Sequence, residues 1–155
     1  MCQYRAVPEH VAFNHVGQCV TDLDRARRFY VELLDFAVER EIQPPDDLTA
    51  KLLQLPTPLG MTACYLRRDG LVLELLHYAD APTRPYAERR MDDPGLTHIS
   101  LSVTDVDATL ARVPDYGGEV LEDTNVGVGV FIRDPDGQLV ELLPMSYRER
   151  LDAGG

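Results

Sequence analysis

The sequence has no CxxC pair, no apolar run approaching the length of a membrane span, no secretory-type start, and too few basic residues to balance its acids. Each absence excludes something. Lysine and arginine number 15 against 26 aspartates and glutamates, a formal net charge of −11, so a phosphate backbone or an anionic membrane surface is repelled. Neither nucleic acid nor membrane is expected as a partner. The basic residues are almost all arginine, with Lys51 the single lysine, a bias that reads as genome composition rather than function. Cys2, Cys19 and Cys64 are odd in number and scattered, which favours free thiols in a reducing compartment. With neither signal nor span, a cytoplasmic protein is expected. At 155 residues, 45% hydrophobic and 26% charged, the chain suits one globular domain or two small modules sharing a core.

What the sequence does contain is a repetition. Residues 69–77 read DGLVLELLH and residues 136–144 read DGQLVELLP. Each Asp-Gly turn launches an apolar strand with one glutamate, Glu74 or Glu141, at the same distance from the turn. A carboxylate inside an apolar strand is costly unless its charge is compensated. Two at matched positions suggest one charged object held from two sides, a divalent metal ion.

The residues upstream repeat as well. Phe13 to Val20 alternates as a strand, and Leu96 to Val103 matches it, with His98, Val103, Thr104 and Asp105 answering His15, Val20, Thr21 and Asp22. VTDLD and VTDVD each supply a helix N-cap. Leu23, Ala26, Phe29, Tyr30, Leu33 and Leu34 then follow at helical spacing, as do Val106, Leu110 and Val113 up to Gly117-Gly118. Further strands are expected over 36–42, 61–66 and 71–77, and over 119–121, 125–133 and 139–144, the 125–133 one interrupted by glycine. Both halves read strand, helix, three strands, and a repeat says more about architecture than any single element. The expected organisation is a first βαβββ module over 11–78, a linker over 79–95, a second module over 96–145 and a frayed tail over 146–155. The first module carries a Pro-rich insertion over 43–59, with a short helix, read as a flap over the site.

Alternation decides whether the four polar residues can meet. His15 shares a strand face with Gly17 and Cys19, and His98 with Ser100 and Ser102, while branched apolar residues take the other face. Glu74 lies opposite Leu71, Leu73 and Leu75, and Glu141 opposite Val140 and Leu142. One histidine and one glutamate per module therefore point away from the helix-covered core. Two imidazoles and two carboxylates make a charge-balanced set for a divalent ion. A lone His or Glu in a strand is more often a surface residue than a ligand; the repetition favours ligation. His10 and His77 read as structural or solvent-exposed, Cys19 as a small buried thiol. Gly127 and Gly129 mark either ligand approach or a bulge, and the pairs Arg67-Arg68 and Arg89-Arg90 either an anionic tail's contacts or solvated charge.

The motifs FNHVGQCVTDLDRARRFYVELLDF, LVLELL, GLTHISLSVTDVDATLARV and DPDGQLVELLP resemble those of the vicinal oxygen chelate superfamily, which includes glyoxalase I, methylmalonyl-CoA epimerase, extradiol dioxygenases and the fosfomycin- and bleomycin-resistance proteins. The resemblance covers most of the chain. It implies an α+β fold, two βαβββ modules forming an open, cup-like eight-stranded barrel, with His15, Glu74, His98 and Glu141 at the metal-ligand positions. The ion is one divalent metal, Zn, Ni, Co, Mn or Fe. The full ligand set is similar to the glyoxalase branch, more so than to the epimerases. The implied activity is that of a lyase or isomerase on a small-molecule substrate, moving a proton next to a carbonyl through a metal-chelated enediolate or enolate, with Glu141 as base and Glu74 as the alternative. An extradiol dioxygenase, with two histidines and one carboxylate, is the second reading, and Glu74 would obstruct it. A metal-free drug-binding protein of the bleomycin-resistance type is the third, and needs none of these residues. A homodimer is implied by the family; whether the cup closes within one chain or across two is left open by the sequence.

Overall fold

A computed structural model describes residues 10–84 and 87–154. Cys2 and the lead-in before His10 lie outside the described residues. The first module runs β1 (Val16–Cys19), α1 (Leu23–Arg28), β2 (Ala37–Ile42), α2 (Asp46–Leu53), β3 (Met61–Arg68) and β4 (Leu71–Tyr78). The second runs β5 (His98–Val103), α3 (Val106–Arg112), β6 (Glu119–Val120), β7 (Val130–Arg133) and β8 (Leu139–Pro144), followed by α4 (Met145–Ala153).

The helix starts are duplicated down to the atom. Asp22 and Asp105 are both extended N-caps, and each carboxylate accepts a hydrogen bond of 2.9 Å from the backbone N–H three residues on, Arg25 and Ala108. The ends differ. α1 widens into a π-turn over Phe29–Leu33, whereas α3 tightens into a 3₁₀ turn over Val113–Tyr116 that Gly117 ends with φ 77°.

Each module forms one four-stranded sheet, β1-β4-β3-β2 and β5-β8-β7-β6. The first and last strands of each module pair in parallel, and the rest are antiparallel. The sheets are open, not closed into a barrel within the chain. Strand β2 is a sheet edge exposed along its whole length, and Glu39, Arg40 and Glu41 put charge along it, which disfavours pairing with another strand.

One core joins the modules. Leu73 and Leu75 from the first sheet, Val140 and Leu142 from the second, Phe29, Tyr30 and Leu33 from the segment after Arg28, and Val113 are all buried in it, with Val106 and Leu110 packed alongside. Gly118 allows this closeness, since a Cβ there would stand 2.7 Å from Phe29 and 2.8 Å from the Arg133 carbonyl. A polar clasp crosses the same junction. Asp134 is 3% exposed and accepts from the Tyr30 hydroxyl at 2.9 Å, from Gln18 Nε2, and from the backbone N–H groups of Asp136 and Gln138. Thr21 and Arg25 reach Asp136 beside it.

Three expectations need correction. The strand expected from Phe13 begins only at Val16, where pairing with β4 starts at Leu73, and Phe13 stays exposed. The strand expected over 125–133 is confined to Val130–Arg133; before it, the Asn125 side chain accepts the Gly127 N–H at 3.0 Å and Gly127 takes φ 80°, making a turn. The tail expected to fray is helix α4, which buries no residue but carries the Arg148–Asp152 pair at 3.1 Å, one helical turn apart.

Candidate functional site

Strand alternation leaves each histidine–glutamate pair on the sheet face outside the shared core. In the first module Gly17, Glu74 and Tyr65 stand in register as one row across β1, β4 and β3. In the second, Ser100, Glu141 and Phe131 form the same row across β5, β8 and β7. Just beyond each row sits a histidine. His15 Nε2 lies 3.0 Å from Glu74 Oε2, and His98 Nε2 lies 3.8 Å from Glu141 Oε2. Each imidazole is also met edge-to-face by the aromatic ring of its row, His15 by Tyr65 at 5.5 Å and 79°, His98 by Phe131 at 5.3 Å and 87°.

The environments of the carboxylates differ. Glu74 is 9% exposed, and its other oxygen, Oε1, accepts a hydrogen bond from the Tyr65 hydroxyl, so both oxygens are engaged. Tyr65 is itself buried, with the Arg40 guanidinium 4.2 Å from its ring centroid. Burial first, then the hydrogen bond and charge of Glu74, hold its phenol above the ordinary value, keeping it a neutral donor. The Glu141 side chain is 28% exposed. Ser100 Oγ donates to its Oε2 at 2.6 Å, and among the described residues nothing donates to Oε1. Thr97 Oγ1 lies 2.8 Å from His98 Nδ1. The Thr97 hydroxyl can donate or accept there, so the contact fixes the ring's orientation whichever tautomer is present.

The insertion accounts for the difference in exposure. Ala50 of α2 and Leu59 pack with Met61, Ala63, Tyr65 and Val72 on the Glu74 face. Asp46 closes the segment on itself by accepting the N–H groups of Leu59 (2.9 Å) and Gly60 (3.1 Å). Among the described residues the second module has no equivalent buried cluster on its Glu141 face.

Within the chain His15 meets Glu74 and His98 meets Glu141, but the two pairs do not meet each other. Among the described residues no group of three or more His, Cys, Asp or Glu is placed to hold a metal ion. The shared core joins the backs of the sheets and leaves both pair-bearing faces outside it. Each pair supplies one imidazole nitrogen and one carboxylate oxygen, the donor chemistry of half a four-ligand divalent site.

Among the remaining candidates, His10 is exposed and His77 ends β4 on the face opposite Glu74. Cys19 is exposed rather than buried, because it ends an edge strand beside Gly17. Gly129 makes room next to the unpartnered oxygen, since a Cβ there would stand 2.9 Å from Leu143 and 4.0 Å from Glu141 Oε1. The arginine pairs are occupied: Arg67 with Glu39 at 2.7 Å, Arg68 with Asp35 at 2.6 Å, Arg89 with the Pro94 carbonyl at 2.6 Å, and Arg90 with Asp92 at 2.8 Å. The sequence pattern singled out neither Tyr65 nor Arg40, nor the hydrogen-bonding role of Ser100; locating them needs the register of β3 against β4 and of β5 against β8. A cavity of about 510 Å³ lies between the free edges of β1 and β5, lined by Val16, Leu73, Ile99 and Gln138, and it reaches His98 but neither glutamate.

Known proteins resemble this chain in sequence and fold. A probable lactoylglutathione lyase of Synechocystis is 26% identical over 84% of this chain and 92% of its own. A metallothiol transferase, FosB, of Shouchella clausii is 25% identical over 89% of this chain and 83% of its own. The trypanothione-dependent glyoxalase I of Leishmania major superposes with a TM-score of 0.65 at 27% identity, covering 90% of this chain and 91% of that one. The family model described as Glyoxalase/Bleomycin resistance protein/Dioxygenase superfamily matches residues 12–142, a span that takes in both modules and both histidine–glutamate pairs, and the chain belongs to that superfamily.

Proposed function

We propose that the protein is a metal-dependent isomerase or lyase that moves a proton on a carbon next to a carbonyl of a small-molecule substrate. The observation that carries this reading is the repeated row: a histidine and a glutamate at matched positions in both modules, with one carboxylate oxygen, Glu141 Oε1, left free of donors among the described residues. His15, Glu74, His98 and Glu141 would hold the ion. A divalent ion there supplies a Lewis acid for the carbonyl oxygen, making the neighbouring C–H more acidic. Glu141 is the base: it is the more exposed carboxylate, and Oε1 is free to take the proton and return it. Glu74 is the second choice. The α2 segment excludes water from the Glu74 side, so substrate approaches over the open face of the second module. Because the pairs stay apart within one chain, we infer that a second copy brings its own pair opposite and completes the set.

A relative's name supplies the first probe, and the proposed proton transfer next to a carbonyl the second. Lactoylglutathione and an α-branched acyl-coenzyme A are incubated with the protein in deuterated water, with bound metal counted by elemental analysis. Metal bound at about one ion per chain and solvent exchange of the α-proton, both lost in His98→Ala, are expected. Exchange should be abolished in Glu141→Gln while the circular dichroism is unchanged. A metal-free parent protein, or exchange in Glu141→Gln at the parental rate, overturns the assignment.

A further inference from the structure

The two rows are alike in backbone, register, glutamate and aromatic ring, and differ in where the hydroxyl sits. In the first, β1 contributes Gly17 and β3 contributes Tyr65; in the second, β5 contributes Ser100 and β7 contributes Phe131. Each carboxylate therefore receives one hydroxyl hydrogen bond, but from opposite neighbours and at different oxygens. Tyr65 takes Oε1 of Glu74, the oxygen turned away from His15, while His15 faces Oε2. Ser100 takes Oε2 of Glu141, the oxygen that already faces His98.

We propose, resting on the metal-dependent reading above, that Tyr65 is a positioning residue that fixes Glu74 as the static carboxylate of the site and so leaves proton transfer to Glu141. A carboxylate whose Oε1 is tied to a buried hydroxyl, leaving Oε2 on the His15 side for the ion, could not swing without losing a hydrogen bond in a buried place. One gripped at a single oxygen turns about that contact. The Tyr65 hydroxyl is well suited to hold, because its ring is itself wedged between His15 and Arg40. Glu141 has neither constraint: Phe131 offers no hydroxyl, and Gly129 leaves space beside Oε1. The division between a fixed and a mobile acid is thus written in two positions, Gly17/Ser100 and Tyr65/Phe131.

The test uses the intact protein, stripped of metal and titrated with Co(II). Outer partners of ligands typically contribute 10- to 100-fold to metal affinity. Tyr65→Phe is expected to weaken Co(II) binding by about tenfold and to alter the cobalt visible spectrum. Ser100→Ala, which removes the hydroxyl from the mobile acid, is expected to shift affinity by less than about threefold. On the substrate that supports α-proton exchange, Tyr65→Phe/Glu141→Gln should regain exchange that Glu141→Gln alone lacks, because Glu74 is released to act. Equal Co(II) affinity in Tyr65→Phe and the parent overturns the proposal, as does a double variant no more active than Glu141→Gln. A parent that binds no Co(II), or exchanges no proton, overturns the reading beneath and this proposal with it; a competent parent with an indifferent Tyr65→Phe overturns this proposal alone. Phe131→Tyr serves as the converse variant, and added grip on Glu141 should lower exchange without weakening Co(II) binding.

Discussion

At the scale of single residues, burial separates two hydroxyls that look interchangeable on paper. Removing the Tyr65 hydroxyl leaves a buried carboxylate oxygen without its donor, which costs about 1–3 kcal/mol of folding stability. Removing the Ser100 hydroxyl leaves an oxygen that water reaches, and the expected cost is below about 1 kcal/mol. Urea unfolding of metal-free Tyr65→Phe and Ser100→Ala tests this, and equal midpoints would refute it. The four principal residues were legible in the sequence because the copies placed them at matched offsets. Tyr65 was not, because a tyrosine in a strand reads as ordinary core packing until register sets it beside Glu74. Cys19 misled for a related reason: alternation names a face but does not say how far along an edge strand that face stays covered.

At the scale of elements, the caps and the insertion dominate. Asp22→Ala and Asp105→Ala should each cost about 1 kcal/mol, and by closely similar amounts, because cap geometry and exposure are the same in both copies. Thermal unfolding of the pair checks this; a large difference would mean that the two helix starts are not equivalent. Gly118→Ala should be far worse, destabilising by about 3 kcal/mol or more, since the new methyl would meet Phe29, Val113 and a backbone carbonyl below 3.0 Å. The strand–helix–strand order was readable because period and caps agreed in both modules. What failed were segments whose structure depends on something other than pattern. The Asn125–Gly129 stretch looks like a strand by its valines but turns on Gly127 and an Asn125 side chain, leaving Val126 and Val128 exposed. Helix α4 has no apolar stripe for a periodicity test to find.

At the scale of the whole molecule, the clasp at Asp134 and the proposed completion of the site by a second copy are the two points to test. Desolvation by burial raises the Asp134 carboxyl above 3.8, outweighing the hydrogen bonds that lower it. The folded state then holds this proton more tightly than the unfolded state does. Stability from this group therefore rises as pH falls through its native value toward 3.8, and is lost as pH rises through the same window. The parent should accordingly gain stability relative to Asp134→Asn between neutral pH and about pH 4, measured by urea unfolding across that range; a constant difference would show that the group titrates normally. For assembly, His15→Ala and His98→Ala should each be inactive alone. Mixed and allowed to exchange subunits, they should recover about a quarter of parental activity, because half of the dimers are then mixed and each holds one intact site of two. No recovery would mean that both pairs of one site come from the same chain.

The continuous packing between the modules bears on how anything gets in. Phe29, Tyr30 and Val113 lie buried between sheet backs, and Asp134 bolts the junction with Gln18 and Tyr30. Packing of this kind resists a clamshell motion between the modules. In the proposed dimer the two histidine–glutamate faces of one chain would then travel as one body, and admission of a guest would fall to rocking of one protomer against its partner.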